Sequence, residues 1–164
     1  MQTIITSLDR NHQELRELFR SLSLEQEREE EREEEGKEGG EDVEVEQKER
    51  LFVQLYSCLS IHILTKAEIL YAPLLGKKAG KQDALKGYTD DQGIMHLLEG
   101  LAKVPVDSED WTKKFNILRE NVSHCLNEEK NVLFPLVESE FRTDVLLQFR
   151  EEFEERRNKL CNVS

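Results

Sequence analysis

Residues 121–137, NVSHCLNEEKNVLFPLV, place a histidine, two adjacent glutamates and a Leu-Phe-Pro stop inside one apolar stretch. An ionisable side chain on a core-facing stripe is costly unless it is paired or bound to a metal. His124 and Glu128 stand four residues apart and so share a helix face, which is how helices of a bundle project metal ligands inward. The same spacing also suits an ordinary surface ion pair. The rest of the chain must discriminate.

Upstream, Trp111, Phe115 and Leu118 repeat at helical spacing, and the punctuation at Pro105 and Asp107-Ser108 starts their helix, which is expected to run from about Glu109 to Glu138. Ile94, Leu97, Leu98 and Leu101 mark a shorter helix near Asp90 to Lys103. Before it, Leu51, Phe52, Leu55, Leu59, Ile69 and Leu70 predict a helix from about Glu46 to Leu75, closed by the Pro73 and Gly76 of YAPLLGKKAGK. The first segment shows a face of Ile5, Leu8, Leu15, Phe19 and Leu22, and His12 completes that series. The last, FRTDVLLQFREEFEERRNKL, is a charged amphipathic helix that offers Val145, Leu146, Phe149 and Phe153. Only the acidic DVEVEQ alternates with period two, which is too little to found a sheet. The expectation is therefore all-α: an up-down-up-down four-helix bundle with a short extra C-terminal helix.

A chain of 164 residues with 37% apolar content suits one domain spanning residues 1–164. Of the formal charge of −12, most comes from Glu25 to Arg50, which holds 14 acidic and 5 basic residues. An insertion at about residues 25–48 is expected to be a charged, mobile segment that extends the helices at each end. No basic stripe interleaved with aromatics exists, so nucleic acid is not an expected partner, and the acidic surface argues against anionic membranes. The N-terminal MQTIITSLDRNHQEL has no basic region, apolar run or cleavage site of a secretory leader, and a cytoplasmic protein is expected. Cys58, Cys125 and Cys161 are odd in number and widely spaced, which suits reduced thiols, with Cys58 and Cys125 as small core residues.

His12, His62, Lys66, His124 and Glu128 thus fall on inward stripes of three helices, which antiparallel packing can bring to one level. His12 in LDRNHQELRELF, His62 in IHILTKAEILYAPL and His124 with Glu128 in HCLNEEKNVLFPL resemble the hemerythrin-like, or HHE cation-binding, family. The likeness extends over nearly the whole chain outside the acidic insertion. It implies a four-helix bundle around a non-haem di-iron centre that binds dioxygen or senses iron, oxygen or nitric oxide.

Two departures bear on the site. Lys66 stands four residues after His62, where the family places a metal-bridging glutamate, and Glu68 is rotated by about 200° from that position. On the third helix the family pattern falls on Asp91 in place of a histidine, while His96, nearly opposite the apolar face, is expected to be exposed. The ligand set implied is His12, His62, Asp91, His124 and Glu128, with Glu129 in reserve and Lys66 as a modifier of the site. Three imidazoles and one or two carboxylates suit one iron, zinc or manganese ion better than two irons. Three readings follow: a protein that binds or senses iron, dioxygen or a related small ligand; an enzyme that activates dioxygen or decomposes peroxide; and a metal-free helical module in which Lys66 pairs with Glu128 or Asp91. A binding or sensor protein is preferred over an enzyme.

Overall fold

The computed structural model describes residues 2–37 and 39–161. Helix α1 spans Ile4–Glu35 and opens on a capping box between Thr3 and Thr6. Helix α2 (Glu41–Lys66), a π turn (Ala67–Tyr71) and α3 (Ala72–Leu75) form one rod. Helix α4 spans Lys81–Ala102. Helix α5 (Glu109–Glu128), a second π turn (Glu129–Leu133) and α6 (Phe134–Glu140) form the next rod, and α7 spans Thr143–Cys161. Among the described residues there is no strand, and the four long rods with the C-terminal α7 make the all-α bundle that the periodicity predicts.

Both π turns end just before a proline. Pro73 and Pro135 lack an N–H and their rings crowd the carbonyl four residues back, so the preceding turn widens: Ala72 N–H reaches Ala67 O, and Phe134 N–H reaches Glu129 O. Each widened turn shifts the phase of its rod in the middle of the bundle. At the N-terminus of α5, Ser108 Oγ accepts from Trp111 N at 3.1 Å. Ser108→Ala is expected to cost about 1 kcal/mol, read as a lowered midpoint in thermal denaturation.

Two apolar clusters hold the bundle. One gathers Leu15, Leu55, Leu59, Leu98, Trp111, Phe115 and Val122; the other gathers Leu8, Leu70, Leu74, Leu133, Phe134 and Val137. Every rod runs from one cluster to the other, and at the crossing each carries buried polar residues: Asn11 and His12 on α1, His62, Thr65 and Lys66 on α2, Asp91 on α4, and Glu129 on the second π turn. Helix α7 closes the second cluster with Leu146, Phe149 and Phe153 and is tied down by Arg156 to Glu68 at 2.8 Å and Arg150 to Gln2 Oε1 at 2.7 Å.

The acidic segment extends the helices at each end, as expected. Helix α1 continues through it to Glu35 and α2 begins at Glu41, so the two rods prolong each other as an antiparallel pair. Gly36, at φ 66°, ends α1 in the left-handed conformation that glycine favours. Lys48 is the physical reason that the pair stays joined: its Nζ bonds Gln26 and Glu29 and sits 4.5 Å above the Trp111 ring, while Arg32 pairs with Glu44. Helix α4 begins nine residues before the expected Asp90, because Ala84 packs into the second cluster and recruits the Gly- and Lys-rich stretch. The rod Glu41–Leu75 has the length and apolar content to cross a bilayer, as core helices of bundles often do; here α1, α4 and α7 pack against it.

Candidate metal centre

The polar layer converges on Glu129. Its side chain receives His12 Nε2 at 2.9 Å from Oε2, His62 Nε2 at 3.4 Å from Oε1, and the Lys66 ammonium on Oε1. Lys66 also reaches Asp91 at 2.9 Å, so its single charge lies between two carboxylates. Each of these residues is at most 5% exposed. His12 is held by Phe134, stacked at 5.3 Å, and by the edge of His62 at 5.4 Å.

The sequence reading places His124 and Glu128 in this centre, and the structure corrects it. His124 is 71% exposed and Glu128 41% exposed; they face each other outside the bundle at 3.8 Å. The reason is the phase of α5. Its buried stripe is Trp111, Phe115, Leu118, Val122 and Leu126, and one further step lands on Glu129 and then Leu133. His124 lies two residues, about 200°, from Val122, and Glu128 lies about 100° from Glu129. Glu129, held in reserve on sequence grounds, is thus the inward carboxylate. The signal was present in its seven-residue step from Val122. His12, His62, Lys66 and Asp91 are inward as expected, and His96 is exposed. Asn11 went unnoticed although it adjoins His12; Cys125 is half-buried and not fully in the core.

Electrostatics divide the layer in two. Burial, then the Lys66 charge, lowers the His62 pKa to about 4, so its ring is neutral at pH 7. Burial alone would lower Lys66, but Asp91 and then Glu129 outweigh it and raise the ammonium well above its ordinary pKa. Burial would likewise raise Glu129, yet Lys66 holds it well below the usual carboxylate range. For Asp91 burial prevails over Lys66, and its pKa is raised. Tyr71, whose pKa burial also raises, lies with its ring 5.7 Å from Lys66 Nζ. Its hydroxyl comes so near α4 that a Cβ on Gly87 would stand 2.7 Å away, which is why that helix carries a glycine there.

Whether these side chains suit a cation depends on where their lone pairs go. His62 Nδ1–H donates to Asn11 Oδ1 at 3.3 Å, which leaves Nε2 as a bare acceptor beside another acceptor, Glu129 Oε1. His12 Nε2 approaches Glu129 Oε2 at 2.9 Å, and His12 Nδ1 has no hydrogen-bond partner among the described residues. One donor atom each from His12, His62 and Glu129 lies within 4.8 Å of the others. Bonds of about 2.1 Å at right angles to one ion would set adjacent donors about 3.0 Å apart. The triad fits one ion. A second does not fit, since the Lys66 ammonium stands between Glu129 and Asp91, where another cation would have to bind both carboxylates.

Comparison with curated proteins and with solved structures finds no match. The hemerythrin HHE cation-binding domain, by contrast, matches residues 3–137, from the cap of α1 into α6, and leaves α7 beyond its end. With that match over most of the chain, and a buried His/Glu group at the level where its four rods cross, the chain belongs to the hemerythrin HHE cation-binding family.

Proposed function

We propose that the chain binds a single non-haem metal ion, iron in the first place, through His12, His62 and Glu129, and that it serves to bind or sense iron or a small ligand such as dioxygen or nitric oxide. The observation that carries this reading is the convergence of one possible ligand atom each from the buried His12, His62 and Glu129 within 4.8 Å of one another. Two imidazoles and one carboxylate suit ferrous iron with open positions, and zinc or manganese are the competing occupants. When bound, the ion would supply a Lewis-acidic position open to a small ligand. The protein side prepares for it: burial keeps His62 neutral, Asn11 fixes its tautomer, and Phe134 orients His12. Lys66 puts a fixed positive charge in the neighbouring position and keeps the centre mononuclear.

Anaerobic iron loading followed by metal analysis tests this. About one iron per chain is expected in the wild type and in His124→Ala, with affinity reduced at least tenfold, in order of magnitude, in His62→Ala and Glu129→Gln. Loss in His124→Ala, or two irons in the wild type, would overturn the assignment. A wild type that takes up no metal would favour a second reading, which rests on Lys66: its ammonium already neutralises Glu129 and Asp91, and the layer would then be a metal-free charge network. Catalytic turnover of peroxide or dioxygen by the loaded chain would instead make it an enzyme.

A further inference from the structure

Helix α7 lies beyond residue 137, where the family domain ends. Toward its C-terminal end it is held by two ion pairs, Arg156 with Glu68 on the α2 rod and Arg157 with Glu14 on α1. These contacts also fix its course. Arg150 lies at Gln2 and Arg157 at Glu14, so α7 runs in the direction of α1 and against that of α2, past Glu68 and toward the middle of α2. An open groove of about 600 Å³ lies there between α1 and α2, lined by Glu14, Leu18, Leu51, Cys58, Ile61 and Arg157.

The groups at the entry of this groove meet on one atom. Glu14 Oε2 accepts from Arg157 Nη2 at 3.3 Å and from the half-buried Cys58 thiol at 4.0 Å. Cys161, the last residue of α7, follows Arg157 by four residues and shares its helix face one turn further along the same course. Cys58 and Cys161 thus belong to one corner of the fold, although about 100 residues of chain separate them. Cys125 belongs to another, the cavity between α4 and α5 that Asp83 and Asp90 line.

We propose that Cys58 and Cys161 form a reversible disulfide that straps the end of α7 to α2 when the chain meets hydrogen peroxide. Peroxide converts the Cys58 thiol to a sulfenic acid and releases one water; the Cys161 thiol then closes the S–S bond and releases a second. Two thiols give up two electrons, and one hydrogen peroxide is reduced to two waters. A half-buried thiol in an open groove is within reach of so small an oxidant. The bridge needs Cα atoms about 4.4–6.8 Å apart. The terminal turn of α7 supplies the adjustment, since its last carbonyls lie outside the helical ladder. Before oxidation this end is held by ion pairs that water weakens. Afterwards α7 is locked over the cluster in which Phe149 and Phe153 join Phe134, the ring stacked on His12. The strap needs no metal and is independent of the metal-binding reading.

The test uses the full chain, reduced, freed of metal with a chelator and treated with an equimolar amount of hydrogen peroxide. Intact mass spectrometry is expected to show the loss of two hydrogens, reversed by dithiothreitol, and a digest without reductant should join the Cys58 and Cys161 peptides. Cys125→Ser should oxidise as the wild type does, whereas Cys161→Ser should stop at a Cys58 sulfenic acid that dimedone captures. The thermal midpoint of oxidised Cys125→Ser should lie roughly 5–15 °C above that of its reduced form. A bridge from Cys58 to Cys125, bridges only between chains, or oxidation without the loss of two hydrogens would overturn the pairing. A bridge between Cys58 and Cys161 that leaves the midpoint unchanged would overturn the strap.

Discussion

Lys66→Met is expected to cost ~3–5 kcal/mol of folding free energy in urea denaturation at pH 7, because removing one partner of a buried ion pair leaves the other charges uncompensated. Lys66 is 1% exposed, and among the described residues it is the cation that pairs with both Asp91 and Glu129. Methionine keeps the length of the side chain and its apolar stem, so the loss reports charge and not a cavity. Adding Asp91→Asn should return part of the loss, since an amide does not need a cation beside it. Lys66→Glu should be destabilised further without metal, recover on addition of a divalent cation, and raise the bound metal from about one ion to about two. A loss below about 1 kcal/mol in Lys66→Met would mean that water reaches the carboxylates and that the layer is not closed.

The stability of the metal-free chain is expected to fall by roughly 3 kcal/mol between pH 6.5 and pH 4 through His62 alone, whose pKa drops from 6.5 to about 4 on folding. The direction follows from proton counts. Below 6.5 the unfolded ring takes up a proton that the buried ring refuses, so each step toward acid favours the unfolded chain until the folded ring titrates near 4. Glu129 adds to the loss below its ordinary 4.5, because its folded pKa is lowered. Asp91 acts oppositely: its pKa is raised from 3.8, so protonation relieves part of its burial cost as the pH falls. Lys66, raised above 10.5, contributes stability that is present below 10.5 and lost as the pH rises past it. Burial raises the Cys125 thiol from 9.0 to about 11, so it too contributes stability that is lost as the pH rises past 9, and the profile should be flat from about pH 6.5 to about 9 and fall on either side. Urea midpoints measured across this range check it, and His62→Gln should remove most of the slope between 6.5 and 4. An unchanged slope in that variant would assign the titration to another group.

Much of the centre could be read from single helices. His12 lies between Leu8 and Leu15, and His62 and Lys66 between Leu59 and Leu70, so apolar neighbours on both sides define their face. Asp91 was reached through family resemblance, and Ile94 and Leu98 confirm its side of α4. Glu128 and Glu129 are different, because adjacent residues share the same local composition and either can continue a stripe whose steps are three or four. The family spacing from His124 pointed to Glu128; the core contacts of Val122, Leu126 and Leu133 select Glu129.

The sequence by itself determined the helical class, the presence of a polar level inside the apolar faces and three of its members on α1 and α2, because side-chain periodicity and burial cost act within one helix. Only the tertiary structure decided that Glu129 is the shared carboxylate, that Lys66 joins it to Asp91, and that His124 and Glu128 lie outside. The physical reason is that rotation of one rod against another is set by the packing of all four at once. The π turns before Pro73 and Pro135 reset that rotation at the very level where the ionisable groups meet.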